Sequence, residues 1–330
     1  MSTDADPLPA SLIGDALARF GLRQQARVTF IRHGENTTYR ITATDGRRLA
    51  LRIHRPGYQT LPAIRSELAW MASLRGGGVL TAAPVPGIDG NLVQTATGDD
   101  GSARTAVLFE WLDGVPINAV GELEPWERLG ELVARIHSLT ARWRPPAWFT
   151  RPAWDAQALV GEDPRWGPPD PHHALAPADA AALEACRVEV LRRLERIGAG
   201  ADRFGLIHAD LGFENVLVSD DGTVAIIDFD DCGESWYMLD FAVALYPHST
   251  GDGFGERRDA LIMGYRRTRE LPDELLAELP TFLMARRIQT LGWLFSRSET
   301  AHAARQHGTR LRSTPRATRD YLAWARANPS

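Results

Sequence analysis

The sequence is poor in cysteine and has no long apolar run. Its two cysteines, Cys186 and Cys232, lie in unrelated contexts, with no C-x-x-C pair and no Cys/His cluster. This arrangement argues against a disulfide framework and against a zinc site, and it favours a reducing compartment. No segment approaches the roughly 18–20 consecutive apolar residues of a membrane span. The N-terminal segment carries acids where a secretion signal needs positive charge, so we expect a cytoplasmic protein with no membrane partner.

An excess of positive charge is also missing. The 330 residues include 37 basic and 42 acidic side chains, which gives a formal net charge of −5. Proteins that bind nucleic acid by neutralising phosphates need the opposite balance, so we expect no nucleic-acid partner. The 44% hydrophobic and 24% charged content is ordinary for a globular protein and is sufficient for a packed core.

The apolar periodicity changes along the chain. Residues 22–112 predict strands around one amphipathic helix, and the Asp45-Gly46 pair between "YRITAT" and "RRLALRI" is a strong hairpin signal. In the N-terminal segment before them, "SLIGDALARFGL" predicts a short helix capped by Ser11. From Pro125 onward the apolar spacing is mostly helical.

These patterns predict an α+β fold of two lobes. The first is a small antiparallel-sheet lobe at 1–112, with a hinge at about 108–114, and the second is a larger, mainly helical lobe at 113–330. A Pro- and Trp-rich segment at 143–178 has no period, so it is either functional or packed by its own aromatic side chains.

Polar residues interrupt the apolar stretch "GLIHADLGFENVLV". Buried polar groups without partners cost roughly 1–3 kcal/mol, so these residues need partners or a function. Asn215 follows Asp210 by five residues, and Asp228 follows Asn215 by thirteen. The intervening "VLVSDDGTVAII" predicts two strands joined by an Asp-Asp-Gly turn, which returns Asp228 to the side of Asn215. An amide oxygen and a carboxylate there suit Mg²⁺, and Asp210 is left on the loop to accept a proton from a hydroxyl group.

The same spacing occurs in the catalytic loop of protein kinases, where H-x-D-x-x-x-x-N precedes D-F-G. Here the two parts are "HADLGFEN" and "DFD". The spacing therefore indicates phosphoryl transfer, with Asp210 as the catalytic base and Asn215 and Asp228 as metal ligands. His208 and Asp240 are predicted to support the loop.

The N-terminal sheet is the candidate nucleotide site. The strand "ALRI" carries Arg52 where kinases place a phosphate-binding lysine, and Glu67 on the next helix is its candidate partner. An exposed strand cation and a solvated helix acid are the alternative interpretation. The turn in "RHGENTTYR" is predicted to bind phosphates, and "LFEWLDG" is predicted to bind adenine through its backbone. The cofactor-binding candidates are Arg52, Glu67, Gly34, Asn36, Thr37, Glu110, Trp111 and Leu112.

These segments resemble the aminoglycoside phosphotransferase/choline kinase-like family, the kinase-fold enzymes that phosphorylate small molecules. "HGENTTYRI", "LRIHRPGY", "IRSELAWMASL", "LFEWLDG", "LIHADLGFENVLV" and "AIIDFDDCGESWYMLDFA" follow the family's order. Their phrasing is most similar to the homoserine-kinase-like and stress-response-kinase-like branches. The resemblance implies a two-lobed kinase fold, ATP and Mg²⁺. It also implies that Asp210 is the base, Asn215 and Asp228 bind metal, and Arg52 and Glu67 bind the nucleotide as a pair.

The sequence departs from the family pattern at two positions. Arg52 stands in place of lysine, and a guanidinium is not interchangeable with an ammonium group although the charge is kept. Asp230 stands in place of the glycine of D-F-G, which adds a carboxylate near the metal.

The expected acceptor is a hydroxyl group of a small metabolite: an amino acid, an amino alcohol, a sugar or an aminoglycoside-like compound. A protein Ser/Thr kinase of the stress-response type and a nucleotide-binding pseudokinase are the alternatives. Arginines on the helix near 286 hint at a carboxylate or phosphate on the acceptor, although pairing with acids explains them equally well. The possible acceptor-binding residues are Glu214, Asp231, Glu234, Arg286 and Trp293.

Overall fold

The computed structural model describes residues 8–22, 26–169, 175–297 and 301–329, the side chains of 301–307 excepted. Two compact units make up the chain. The first contains the residues up to Asp113 together with Pro145–Thr150, and the second contains Gly114–Arg144 together with the residues from Arg151 onward. Sheets and helices occur in both units, as the predicted α+β class requires.

The first unit is built on an antiparallel sheet with strand order β1-β2-β3-β6-β4, in which β5 also pairs with β6. The predicted Asp45-Gly46 hairpin is confirmed, since Thr42 of β2 pairs with Arg48 of β3. Gly46 has a φ of +86°, a backbone conformation that glycine adopts without steric cost. The elements are α1 (Ala10–Arg19), β1 (Arg27–His33), β2 (Asn36–Thr42), β3 (Arg48–His54), α2 (Leu61–Gly76), β4 (Pro84–Val85), β5 (Val93–Thr97) and β6 (Ala103–Glu110).

Helix α1 covers part of this sheet. Its buried Leu12, Ile13, Ala16 and Leu17 share one core cluster with apolar side chains of β2, β3, β5 and β6. The predicted Ser11 cap is wrong, because Pro9 occupies the N-cap position and no side chain caps the helix. The Ser11 hydroxyl instead accepts a hydrogen bond from the Asp99 N–H at 3.1 Å.

The second unit is mainly helical and carries two small antiparallel sheets, β10-β9-β7 and β11-β8. Within the described ranges of both units, no helix is long and apolar enough to cross a membrane. Both cysteines are buried with free thiols. The elements are β7 (Val115–Pro116), α3 (Glu124–Thr140), α4 (Ala156–Val160), α5 (Pro177–Ile197), β8 (Phe204–Ile207), β9 (Val216–Val218), β10 (Val224–Ile226), β11 (Gly233–Trp236), α6 (Tyr237–Leu245), α7 (Phe254–Arg266), α8 (Asp273–Ala277), α9 (Leu279–Ser296) and α10 (Ala301–Ala327).

Two glycines allow α3 and α7 to approach each other closely. A Cβ atom on Gly130 would overlap the carbonyl oxygen of Leu261, and one on Gly264 would overlap the carbonyl oxygen of Glu127. Any side chain at either position would therefore force the helices apart. The close approach brings Tyr265 of α7 against His137 of α3, with a hydroxyl-to-Nδ1 distance of 3.0 Å.

Candidate active site

A loop and a hairpin of the second unit assemble the predicted catalytic residues. β9 and β10 pair as predicted, with Val216 opposite Ile226, and the Ile227 N–H donates to the Asn215 carbonyl at 2.9 Å. This pairing places Asp228, the next residue, beside Asn215. Asp210 lies on the loop that follows β8, and its carboxylate Oδ2 accepts a hydrogen bond from Asn215 Nδ2 at 2.9 Å.

The amide of Asn215 has a fixed orientation. Its nitrogen donates to both the carbonyl and the carboxylate of Asp210, at 2.9 Å each. The amide oxygen is therefore the atom that remains for a cation, alongside the carboxylate of Asp228. Within the described ranges, no group of three or more His, Cys, Asp and Glu is placed to hold a metal ion alone. Two hard oxygen donors completed by phosphate oxygens and water form a set that fits Mg²⁺.

The backbone is strained at the start of the loop and again after β10. Ala209 has a φ of +66° and Asp228 a φ of +61°, and these are the two described non-glycine residues with positive φ. An L-residue in this region costs on the order of 1–2 kcal/mol, so the surrounding contacts must hold it there.

Asp240 of α6 provides that support. Its carboxylate, 1% exposed, accepts the N–H groups of Ala209 at 2.9 Å and of His208 at 3.2 Å. His208 adds a second connection, because its Nε2–H donates to the Ile227 carbonyl at 3.0 Å and its Nδ1 accepts the Asp210 N–H at 3.2 Å. Both residues that the sequence assigned to loop support thus contact the loop backbone directly.

Two further residues of this network were missed in the sequence. His137 Nε2 lies 3.1 Å from Asp240 Oδ2, and its Nδ1 contacts the Tyr265 hydroxyl. Burial lowers the pKa of His137 more than the Asp240 carboxylate raises it, which favours the neutral ring. A histidine inside an apolar helical pattern gives no signal of a partner 103 residues away.

Arg286 contacts the candidate base. Its Nη2 donates to Asp210 Oδ1 at 2.7 Å, with the Arg286 side chain 11% exposed and that of Asp210 30% exposed. The interpretation that this arginine marks an anionic acceptor is weakened, because its charge is balanced by Asp210. The other arginine at this point of the helix, Arg287, is buried and donates to the hydroxyls of Ser313 and Thr314.

Part of the Pro- and Trp-rich segment packs against the chain that follows β10. The Trp154 backbone N–H donates to the Glu234 carbonyl at 2.7 Å, and its indole Nε1–H donates to the Asp231 carbonyl at 2.7 Å. Arg151 donates to the carbonyls of Cys232 and Asp230. The segment is therefore packed by its own aromatic and basic side chains.

The other acceptor candidates differ in exposure. Asp231 is 9% exposed, Glu234 projects from β11 into solvent, and Glu214 and Trp293 are half-buried. Glu214 lies in the short 3-10 turn Phe213–Asn215, one residue before the proposed metal ligand.

In the first unit, Arg52 and Glu67 form a buried ion pair. Arg52 Nη2 lies 2.8 Å from Oε1 and 2.7 Å from Oε2 of Glu67, with side chains 6% and 0% exposed. The Arg52 Cζ atom also lies over the Phe109 ring, 5.0 Å from its centre. The interpretation of an exposed cation and a solvated acid is therefore wrong.

The predicted phosphate turn lies between β1 and β2. Gly34 N–H donates to the Asn36 carbonyl at 2.9 Å, which closes the turn. Thr37 is 3% exposed and its hydroxyl hydrogen-bonds His33 Nδ1 at 2.9 Å. The Thr37 side chain is thus engaged inside the sheet rather than directed to a ligand.

The backbone of the predicted hinge also has hydrogen-bond partners. The Glu110 N–H donates to the Ala83 carbonyl at 2.8 Å, and the Trp111 N–H donates to the Arg48 carbonyl at 3.2 Å. Of the three candidate N–H groups for adenine, only that of Leu112 has no backbone acceptor among the described residues. The prediction that the backbone of Glu110, Trp111 and Leu112 binds adenine stays a prediction.

The sequence matches relatives along most of its length. The phosphotransferase enzyme family (APH) matches residues 27–277. A protein of Deinococcus radiodurans is 31% identical over 88% of this chain and 83% of its own length. The amicoumacin kinase of Bacillus subtilis is 26% identical over 86% of this chain and 84% of its own length.

Solved structures agree with these matches. The structure of a microcompartment-associated aminopropanol kinase is 32% identical, with a TM-score of 0.86 over 96% of this chain and 98% of that one. The amicoumacin kinase hAmiN, in complex with AMP-PNP, Ca²⁺ and amicoumacin, is 23% identical, with a TM-score of 0.75 over 92% of each chain, and shares the fold. The chain therefore belongs to the phosphotransferase enzyme family, and it is an ATP-dependent kinase of two-lobed α+β fold that phosphorylates the hydroxyl group of a small molecule.

Proposed function

We propose that the protein transfers the γ-phosphoryl group of ATP to the hydroxyl of a small amino alcohol, with Asp210 as the general base. The acceptor oxygen forms the new bond to the γ-phosphorus while the bond from that phosphorus to the β–γ bridging oxygen breaks, and ADP leaves. The hydroxyl proton passes to the Asp210 carboxylate. The observation that carries this proposal is the partly exposed carboxylate of Asp210, which accepts a hydrogen bond from Asn215, with Asp228 beside Asn215.

Asn215 Oδ1 and the Asp228 carboxylate would hold Mg²⁺. When bound, the ion neutralises charge on the phosphate oxygens. In the first unit, Arg52 would bind the α- and β-phosphates from its place against Glu67, and the Leu112 N–H would donate to adenine. These assignments share one physical basis, since phosphoryl transfer depends on positioning and on charge stabilisation more than on covalent chemistry.

The charge of the second unit favours a cationic acceptor. Residues 204–236, which contain the catalytic loop and the hairpin, include eight acids and no lysine or arginine. Arg286 donates to the Asp210 carboxylate in this segment, and Arg151 and Arg128 donate to the backbone carbonyls of Cys232 and Gly222. The similarity to an aminopropanol kinase supports the same class, because its named substrate combines a hydroxyl with an amine.

The first test replaces the base. Asp210→Asn keeps the size of the side chain but removes the proton acceptor and one of the two hydrogen-bond acceptors, so turnover should fall by about 10²–10⁴-fold. ADP release measures turnover, and a thermal shift with ATP and Mg²⁺ serves as the binding control. An Asp210→Asn variant with normal turnover would contradict the assignment.

The second test varies only the charge of the acceptor. 1-Amino-2-propanol, propane-1,2-diol and lactate share one secondary alcohol and carry a positive, no and a negative charge on the adjacent carbon. We expect kcat/KM to decrease in that order. A preference for lactate would reject the amino-alcohol class while leaving kinase activity intact. Phosphorylation of the protein itself, with no response to any acceptor, would favour a protein kinase instead.

A further inference from the structure

Arg286 is held in a fixed orientation against Asp210. Its Nη2 donates to Asp210 Oδ1 at 2.7 Å, while its Nη1 donates to Gln289 Oε1, one helical turn away on α9, at 2.9 Å. The Arg286 Cζ atom also lies over the Trp166 ring, 5.1 Å from its centre. Two hydrogen bonds and an aromatic face restrain a planar group far more than one ion pair does.

The support extends into the Pro- and Trp-rich segment. Trp166 is 6% exposed and packs edge-to-face on Trp154, with ring centres 5.3 Å apart. Trp154 is fully buried, and its indole N–H donates to the Asp231 carbonyl. A continuous series of contacts thus runs from the segment through Trp166 and Arg286 to Asp210.

Both oxygens of the Asp210 carboxylate have a donor. Arg286 holds Oδ1 from α9, and Asn215 Nδ2 holds Oδ2 from the loop at 2.9 Å. One donor fixes the distance of a carboxylate, whereas a second donor on the other oxygen also fixes its rotation. The side chain remains 30% exposed, so lone pairs stay accessible to an incoming hydroxyl.

We propose that Arg286 is a positioning residue that orients the Asp210 carboxylate for proton transfer, and that Gln289 and Trp166 hold Arg286 in place. The proposal rests on Asp210 being the base, as inferred above. A lysine would keep the charge but could not maintain the contacts to Gln289 and Trp166 together.

The experiment compares two adjacent arginines of α9. Arg286→Ala should lower kcat by about 10–100-fold, the scale expected for a misplaced catalytic group, and leave the KM for ATP unchanged. Added guanidinium or ethylguanidinium ions should restore part of the lost kcat in a saturable manner. Arg286→Lys should retain more activity than Arg286→Ala. Arg287→Ala is the control, because Arg287 contacts the hydroxyls of Ser313 and Thr314 and not Asp210. If the Arg287→Ala variant does not fold, Arg287→Lys replaces it as the control.

Three outcomes decide between the possibilities, with Asp210→Asn assayed in parallel. An active Asp210→Asn enzyme refutes the proposed base and the positioning role with it. An inactive Asp210→Asn enzyme beside an Arg286→Ala enzyme of normal or raised kcat refutes the positioning role alone. Loss of activity in Arg286→Ala without guanidinium rescue, together with a fall in melting temperature like that of the Arg287 variant, shows a structural role and also refutes the inference.

Discussion

At the scale of single residues, the composition of the whole chain explains why arginine stands at position 52, where the family pattern has lysine. None of the 37 basic residues of the chain is a lysine. The substitution therefore follows a composition that uses arginine throughout, and it gives no support to a pseudokinase. The buried pair with Glu67 indicates that the guanidinium is accommodated, since its Nη2 donates to both oxygens of the carboxylate.

The Arg52–Glu67 pair should show strong coupling in a double-mutant cycle. Glu67→Leu leaves a buried guanidinium without its carboxylate, so the free energy of unfolding should fall by about 3–5 kcal/mol. The double variant Arg52→Met/Glu67→Leu should recover much of that loss, because an apolar pair replaces a buried charge that has lost its carboxylate. Urea denaturation measures all four proteins. Additive losses in the double variant would show that the two side chains do not depend on each other.

At the scale of elements, the sequence predicts what local patterns encode. The hairpins at Asp45-Gly46 and between β9 and β10, and the helix α2, follow from turn residues and apolar spacing. Asp210, Asn215 and Asp228 lie together because the length of one hairpin brings them together. Contacts between distant elements have no such local signal. The pairing of Arg286 with Asp210 spans 76 positions, and nothing in the helical pattern of α9 distinguishes Arg286 from Arg287 as the partner.

The segment at 143–178 illustrates the same limit. Its composition leaves open a functional role or packing by its own aromatic side chains, and the contacts of Trp154 and Trp166 show such packing. The strand that the segment contacts cannot be predicted from its sequence. A segment without apolar periodicity gives no indication of which of its residues face a neighbouring strand. The assignment of Pro145–Thr150 to the first unit and of the following residues to the second is likewise a tertiary property.

The contact between α3 and α6 should make stability depend on pH. Burial lowers the pKa of His137 in the folded protein, and burial lowers that of His248 as well. The unfolded chain then binds these protons at higher pH than the folded chain does. The free energy of unfolding should therefore fall as the pH drops below the unfolded histidine pKa of about 6.5. Urea denaturation between about pH 8 and pH 5 measures this slope.

A matched variant assigns the effect to this contact. His137→Gln retains hydrogen-bonding groups for Asp240 and Tyr265 but has no proton to bind, so its stability should decline less steeply with falling pH. His248→Gln, on a different element, provides the comparison for the remaining slope. A slope in His137→Gln equal to that of the unmodified protein would show that His137 takes up its proton equally in the folded and unfolded states.

At the scale of the whole molecule, charge should govern how the acceptor is captured. A chain of net charge −5 with an acid-rich stretch at 204–236 attracts cations at distances that salt can screen. Raising the ionic strength from about 0.01 M to about 0.15 M shortens the Debye length from about 30 Å to about 8 Å. With saturating ATP and Mg²⁺, the KM for 1-amino-2-propanol should therefore rise several-fold over this range. The KM for propane-1,2-diol should change little, because a neutral acceptor gains nothing from the field. Equal salt sensitivity of the two acceptors would show that salt acts on the enzyme itself, and the electrostatic basis of acceptor selection would then be rejected.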